Sequence, residues 1–279
     1  MQIKRDFFVN FRSVDAELRL TNSGILAMFE DIACLHGVQI GDDISVSDLR
    51  WLLIGYQINI NRRPRYGEEV RVTTWSKDYR NVTATREFEM HDADGSLLVT
   101  GWSSWARVNI KTKELVRLTD ESMAAYQSEP EHTNFGKAPR ISEPAGHSTR
   151  TDMVIDWRWM DGNRHMHNSY YLDVAEHVLP EEVRAQLARC SFDVSYKQEI
   201  SENAAVACLY SETEKGWTVT FKSEDLSVLH AVVIFRRPQE SEENTAAAPA
   251  EPAKAAQPET PAPIKKKKPG FFLRKKPVE

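Results

Sequence analysis

The sequence predicts an α+β protein made of two consecutive modules, each with one long helix packed on a curled antiparallel sheet. The first observation is a diverged repeat at an offset of 146 residues, in which Asn22-Ser23 corresponds to Asn168-Ser169 and Glu30 to Glu176. The second is that apolar residues at helical spacing follow both polar pairs. The third is that each helical segment precedes several segments of alternating apolar and polar residues, which are typical of strands. A helix followed by an antiparallel meander, twice over, indicates helix-on-sheet packing in each half.

Both helices carry start and stop signals. The first is predicted to begin at Asn22-Ser23, since either side chain can cap it, and to end near Gly37. The second is predicted to begin at Asn168-Ser169 and to stop before Pro180. The apolar stripes comprise Ile25, Leu26, Met28, Phe29, Ile32 and Ala33 in the first helix and Tyr171, Leu172, Val174, Ala175 and Val178 in the second.

Strands are predicted after each helix. In the first half they cover residues 56–61, 70–75, 83–90 and 97–108, and Asp92-Ala-Asp-Gly95 predicts a hairpin turn. In the second half they cover residues 192–197, 205–211, 217–222 and 229–236. We therefore expect a first module over residues 1–118, a connector with several prolines over 119–150, and a second module over 151–238.

Composition and charge exclude several classes of function. A formal net charge of −5 does not suggest a nucleic-acid-binding protein, so we expect no nucleic-acid partner. The chain lacks the run of about 18 apolar residues that a transmembrane helix needs, and its first residues lack the apolar region of a signal peptide. The three cysteines have no metal or redox spacing. We expect a cytoplasmic protein with no metal and no cofactor.

The composition changes at about residue 239. Residues 239–279 hold seven of the 13 prolines together with much Ala, Glu and Lys, a composition that predicts a disordered tail. Its end, Lys265 to Lys276, is basic with a small apolar insert. The segment is either a solvated tail or a weak electrostatic contact to anionic lipid or an acidic partner.

The segment with the clearest chemistry lies directly before the second helix. It places a carboxylate, an amide and an imidazole at alternate positions, namely Asp161, Asn163 and His165. In an extended segment these side chains would share one face, beside the unpaired N–H groups of a helix N-terminus. Acyl-transfer chemistry uses such a set. The alternative interpretation is a plain turn at Asp161-Gly162 with Asn163 as its partner.

Two motifs carry a resemblance to a known family. Asp161-Gly-Asn-Arg-His-Met-His-Asn168 and Ser195-Tyr-Lys-Gln-Glu199 resemble motifs of the acyl-acyl carrier protein thioesterases of plants and bacteria, which have a tandem (double) hotdog fold. Residues 61–68 and Thr74-Trp75 add weaker support, and the resemblance covers about residues 1–237. The chain departs from the family pattern at three positions, with Ser195 for Glu, His167 for Asn and Ile200 for Cys.

The resemblance implies a catalytic set of Asp161, Asn163, His165 and Glu199, acting on a fatty acyl chain carried by acyl carrier protein. We expect Glu199 to activate water, Asn163 to position it, and Asp161 and His165 to act on the thioester. Whether Asp161 forms a covalent acyl-enzyme stays open. Backbone N–H groups of His167, Asn168 and Ser169 are the candidate oxyanion donors. The candidate acyl-pocket residues of the first module are Met28, Phe29, Trp51, Leu52 and Ile54.

The repeat predicts a single working site. Asp15, Glu17 and Arg19 stand where the second module has Asp161, Asn163 and His165, and Arg63-Pro64 stands near the position of Glu199. The first copy therefore lacks the amide and the imidazole. Hydrolysis of acyl-acyl carrier protein is the leading hypothesis, with an acyl-CoA thioesterase, a non-catalytic sensor of acyl thioesters and a hotdog dehydratase as alternatives. The protein is expected to be a monomer or a homodimer.

Overall fold

The computed structural model describes residues 1–42, 46–136 and 140–238. The first module contains β1 (Gln2–Phe8), α1 (Asn22–Gln39), β2 (Leu49–Ile60), β3 (Glu69–Arg80), β4 (Thr83–His91), β5 (Leu97–Asn109) and β6 (Glu114–Leu115). The short helix α2 (Asp120–Met123) follows. The second module contains β7 (Thr149–Val154), α3 (Tyr170–Val178), α4 (Glu181–Arg184), β8 (Ser191–Tyr196), β9 (Ala205–Thr213), β10 (Gly216–Ser223) and β11 (Leu229–Arg236). Short 3₁₀ turns lie at Phe11–Ser13, Ala124–Tyr126, Trp157–Trp159 and Leu187–Arg189.

The two predicted sheets join into one. The strand order is β1-β3-β4-β5-β2-β8-β11-β10-β9-β7, with β6 paired to β5, so each half repeats the other's order in reverse. The halves meet where β2 pairs antiparallel with β8, from Gly55 opposite Ser195 to Ile58 opposite Phe192. A Cβ atom at Gly55 would lie 2.4 Å from the Val194 carbonyl oxygen, so this junction requires glycine. The tandem helix-on-sheet prediction is confirmed, and the continuous sheet is an addition to it.

Both long helices pack on this sheet, α1 against β1 and β3 and α3 against β9 and β11, and they contact each other. Helix α1 is capped by Thr21, whose Oγ1 accepts the Gly24 N–H at 3.0 Å, one residue before the predicted caps. It continues two residues past Gly37, to Gln39. Helix α3 follows Ser169 and ends at Val178, two residues before Pro180. The predicted apolar stripes of both helices lie mainly in the core.

The predicted connector, residues 119–150, holds α2 and the first two residues of β7 among its described residues. The predicted disordered tail, residues 239–279, lies outside the described residues. No helix in the described part of the chain is both long and apolar enough to span a membrane.

A buried histidine makes the stability of the fold depend on pH. His36, on α1, is fully buried, and its Nδ1 accepts a hydrogen bond from Arg86 Nη1 at 3.0 Å. Burial and the nearby guanidinium lower the pKa of His36 from 6.5 to about 4. The unfolded chain therefore takes up this proton first, and stability is lost as pH falls from 6.5 through 4. We expect His36 to account for a loss of up to about 3 kcal/mol in the free energy of unfolding.

The measurement is urea unfolding of the wild type and His36→Gln at pH 7 and pH 4.5. A glutamine oxygen can still accept from Arg86 but does not titrate, so the variant should lose less stability on acidification. An equal loss in both proteins would contradict the assignment.

Candidate active site

Residues 161–165 form a tight turn, so the extended arrangement predicted for them is wrong. Asp161 Oδ1 accepts the backbone N–H groups of Asn163 at 2.7 Å and His165 at 3.2 Å. The Asp161 N–H donates to the His165 carbonyl at 2.8 Å, and Arg164 has a φ of 64°. The carboxylate thus folds back on its own backbone, as in the alternative interpretation as a turn. Asp161, Asn163 and His165 still lie together, but on a turn rather than along one face of a strand.

The first module contains the same turn. Asp15 Oδ1 accepts the N–H groups of Glu17 at 3.0 Å and Arg19 at 2.8 Å, and Leu18 has a φ of 61°. An aspartate at this position therefore stabilises the turn in both modules. The difference between the modules lies in the side chains that the turn presents, which are an exposed amide and an imidazole in the second module only.

The turn brings His165 to Glu199. His165 forms an isolated β-bridge with Ser201, and the Met166 N–H donates to the Ile200 carbonyl at 2.8 Å. His165 Nε2 consequently lies 4.0 Å from Glu199 Oε1, with the two side chains 40% and 58% exposed. Glu199 lies in the loop after β8, because the sheet pairing ends at Tyr196. The pair faces solvent, where a substrate can reach it.

A second acid–imidazole pair lies on the other side of the turn, and the sequence did not predict it. His167 Nε2 lies 3.4 Å from Glu30 Oε2, and Asn168 Nδ2 donates to Glu30 Oε1 at 2.9 Å. Glu30 comes from α1 of the first module and its side chain is only 12% exposed. Burial raises the pKa of this carboxyl, against the opposing effects of His167 and Asn168.

The two modules exchange this contact reciprocally. Asn22 Nδ2 donates to Glu176 Oε1 at 2.8 Å, which repeats the Asn168–Glu30 bond at the corresponding positions of the repeat. Each long helix thus supplies its glutamate to the polar turn of the opposite module. Burial raises the pKa of Glu176 to about 7. The repeat in the sequence aligned these residues but could not reveal that they cross between modules.

The three candidate oxyanion donors are not equivalent. The His167 N–H donates to the Trp159 carbonyl at 2.8 Å, and the Ser169 N–H lies 3.4 Å from His167 Nδ1. Among the described residues, no hydrogen-bond acceptor is found for the Asn168 N–H. The His167 carbonyl, which belongs to the same peptide as the Asn168 N–H, accepts the Tyr170 N–H at 3.0 Å and fixes this peptide. The Asn168 carbonyl accepts from the Tyr196 hydroxyl at 2.8 Å and fixes the next one. The geometry therefore favours the Asn168 N–H as the group available to a substrate oxygen.

The first module fills the equivalent space with an arginine. Arg65 bridges to Arg19 as Ser201 bridges to His165, so Arg63 and Glu199 occupy corresponding backbone positions two residues earlier. Arg63 is buried, and its guanidinium donates to the carbonyls of Leu20, Leu187, Ala188 and Cys190 and to Asn22 Oδ1. The first copy of the site is closed by this side chain.

The predicted acyl-pocket residues lie in different environments. Met28 and Phe29 belong to the main core, where Phe29 stacks on Phe88 with ring centroids 4.6 Å apart. Trp51 packs beside a small second cluster and donates to Asp42 Oδ2 at 2.9 Å. Ile54 is half-buried, whereas Leu52 is 46% exposed. Within the described residues, no cluster of three or more His, Cys, Asp or Glu has metal-binding geometry.

Known proteins share both the sequence pattern and the fold. Residues 1–126 match the acyl-ACP thioesterase N-terminal domain, and residues 142–248 match the acyl-ACP thioesterase C-terminal domain. A chloroplastic acyl-[acyl-carrier-protein] hydrolase of Cuphea viscosissima is 22% identical over 74% of this chain and 54% of its own length. A chloroplastic oleoyl-acyl carrier protein thioesterase of Arabidopsis thaliana is 22% identical over 74% of this chain and 62% of its own length. The chain spans about half the length of the curated relatives it matches.

Two solved structures have the same fold. An acyl-ACP thioesterase from Bacteroides thetaiotaomicron superposes with a TM-score of 0.75 at 21% identity, over 84% of this chain and 97% of that one. The 12:0-ACP thioesterase from Umbellularia californica superposes with a TM-score of 0.70 at 18% identity, over 85% of this chain and 97% of that one. With both domains matched in order along a tandem hotdog fold, the chain belongs to the acyl-ACP thioesterase family.

Proposed function

We propose that the protein hydrolyses fatty acyl-acyl carrier protein to a free fatty acid and holo-acyl carrier protein. The observation that carries this proposal is the exposed His165–Glu199 pair, which only the second copy of the repeat possesses. It lies on a turn that leads directly to the Asn168 N–H. Membership of the family and the names of the relatives support the same reaction.

Three side chains and one backbone N–H group divide the steps of thioester hydrolysis between them. Glu199 removes a proton from a water molecule as its oxygen bonds to the thioester carbonyl carbon. The Asn168 N–H donates to the resulting oxyanion, and the Asn163 amide orients the water. As the carbon–sulfur bond breaks, the proton that Glu199 took from water passes through His165 to the departing thiolate. Asp161, whose Oδ1 accepts two backbone N–H groups, holds His165 in place rather than attacking the carbonyl itself.

The proposal extends to the partner, the location and the pocket. Acyl carrier protein is the expected partner, with a cytoplasmic site of action. The first module, whose own site is closed by Arg63, is proposed to hold the acyl chain. Met28 and Phe29 of α1 lie in the core of the fold. The single working site of the protein makes one acyl chain per protein the expected stoichiometry.

The test offers the purified protein matched acyl-acyl carrier protein and acyl-CoA substrates of several chain lengths and measures released thiol. We expect release from the carrier-protein substrates, with kcat/KM at least about tenfold above that for acyl-CoA, because carrier contacts add transition-state binding. His165→Ala serves as the inactive control. Release from acyl-CoA alone would make the protein an acyl-CoA thioesterase. Tight acyl-thioester binding without any release of thiol would make it a sensor and would contradict the hydrolase proposal.

A further inference from the structure

The contact between α1 and the turn of the second module places a buried acid behind the proposed oxyanion donor. We propose that Glu30 of the first module is a positioning residue for the active site of the second, holding His167 and Asn168 so that the Asn168 N–H faces the substrate. This inference rests on the proposed function and adds a residue outside the family's motif positions. It makes the active site a product of both modules rather than of the second alone.

Asn168 is held from two directions. Its side-chain amide donates to Glu30 Oε1 at 2.9 Å, and its carbonyl accepts from the Tyr196 hydroxyl at 2.8 Å. The Asn168 N–H belongs to the peptide between His167 and Asn168, and the carbonyl of that peptide accepts the Tyr170 N–H at 3.0 Å. With these three contacts in place, the peptide cannot rotate, and the Asn168 N–H keeps one direction. Preorganised donors of this kind stabilise an oxyanion because no reorganisation is needed during the reaction.

Glu30 also selects the tautomer of His167. The Ser169 N–H lies 3.4 Å from His167 Nδ1 and the Ser169 hydroxyl oxygen lies 3.0 Å from it, so Nδ1 is the accepting nitrogen. The ring proton of a neutral His167 is then on Nε2, which faces Glu30 Oε2 at 3.4 Å. Glu30 Oε2 is buried and has no hydrogen-bond partner among the described residues. This oxygen can accept a shorter hydrogen bond from the His167 Nε2–H when substrate binds.

The other module supplies a natural comparison. Glu176 accepts from Asn22 at 2.8 Å, as Glu30 accepts from Asn168, but Thr21 stands where the second module has His167. Arg63 fills the space beside Asn22. Glu176 therefore has the same asparagine contact as Glu30, but it has no imidazole beside it and does not adjoin an open site. If these glutamates served only to join the modules, replacing either would have the same effect.

His167 is the basic side chain that faces Glu30. Burial raises the pKa of Glu30, while the nearby imidazole opposes that rise. The titratable groups whose charges act on Glu30, or whose pKa it influences, are His167 and Asp161 before α3, Asp31 and Cys34 on α1, Tyr56 on β2 and Tyr196 on β8. His167 is the one base among these groups, so a change in the charge of Glu30 acts first on its imidazole.

The experiment compares Glu30→Gln with its matched control, Glu176→Gln, in the full-length protein. A glutamine at position 30 can still accept from Asn168 with its oxygen, but its amide hydrogens then face the Nε2 proton of His167. We expect kcat to fall about 10-fold to 100-fold with KM changed less than about threefold, a smaller loss than removal of a whole oxyanion donor gives. Glu176→Gln should keep kcat within about twofold of wild type. ¹⁵N NMR of His167 should show the Nε2-protonated tautomer in the wild type and in Glu176→Gln, and a shift towards Nδ1 protonation in Glu30→Gln.

The outcomes separate this inference from the proposed function. A wild type that releases no thiol overturns the proposed function. An active wild type whose Glu30→Gln variant matches Glu176→Gln in kcat and in the His167 spectrum overturns only the positioning role. If Glu30→Gln does not fold, His167→Gln takes its place, because His167 is 38% exposed and tolerates substitution better. Near-normal kcat in that variant would contradict the inference equally.

Discussion

Glu199→Gln is expected to lower kcat by about 10²-fold to 10⁴-fold, the usual contribution of a general base, while the protein stays folded. Glu199 is 58% exposed, and its ionic contact is with His165 Nε2 at 4.0 Å. A glutamine has the same size but cannot take a proton from water. Because so little of the side chain is buried, the free energy of unfolding should change by less than about 0.5 kcal/mol.

The measurements are kcat from thiol release with saturating acyl-acyl carrier protein and urea unfolding of both proteins. Glu202→Gln is the matched control, since Glu202 is an exposed acid three residues later in the same loop. It should leave both quantities unchanged. Near-normal turnover in a folded Glu199→Gln variant would remove Glu199 from the mechanism and leave His165 as the base.

The elements of the fold could be predicted from sequence because their signals are local. Helix α1 and the strands of both meanders show in the spacing of apolar residues over a few turns or pairs. The turn at Asp161 could not be predicted so readily, since its left-handed residue is Arg164 and not a glycine. The same conformation at Leu18 shows that the aspartate, not the residue in the left-handed position, specifies the turn.

Contacts between the modules could not be predicted from local patterns in the sequence. The repeat aligned Glu30 with Glu176, and nothing in the spacing of either residue indicates a partner outside its own module. The joining of β2 to β8 brings α1 against α3, and only then does each glutamate meet the asparagine of the other copy. Gly55 was the one residue in β2 whose type hinted at a close strand contact. Glu199 was identified by resemblance, because an exposed loop acid carries no signal of its own.

Arg63→Met is expected to lower the free energy of unfolding strongly, whereas Glu199→Gln is expected to lower kcat with little change in stability. The Arg63 guanidinium serves the carbonyls of Leu20, Leu187, Ala188 and Cys190 together with Asn22 Oδ1, all at a buried site. A methionine fills part of the volume but donates none of these hydrogen bonds, so that of these acceptors the Leu187 carbonyl keeps a donor in the Cys190 N–H at 3.0 Å. We expect the free energy of unfolding to fall by about 3 kcal/mol or more.

Arg62→Met is the control for this loss. Arg62 is 46% exposed and pairs with Glu68 and Asp92 at the surface, so its replacement should cost less than about 1 kcal/mol. Urea unfolding of the three proteins makes the comparison, with kcat measured where Arg63→Met is still folded.

Arg63 and Glu199 occupy the same backbone position of the repeat, and a protein that duplicates a module needs only one copy of the site to react. In the first module the buried arginine instead forms a closed, hydrogen-bonded junction against residues 187–190. If Arg63→Met were as stable as Arg62→Met but had lost its turnover, Arg63 would act in the reaction, and this division of roles between the modules would be wrong.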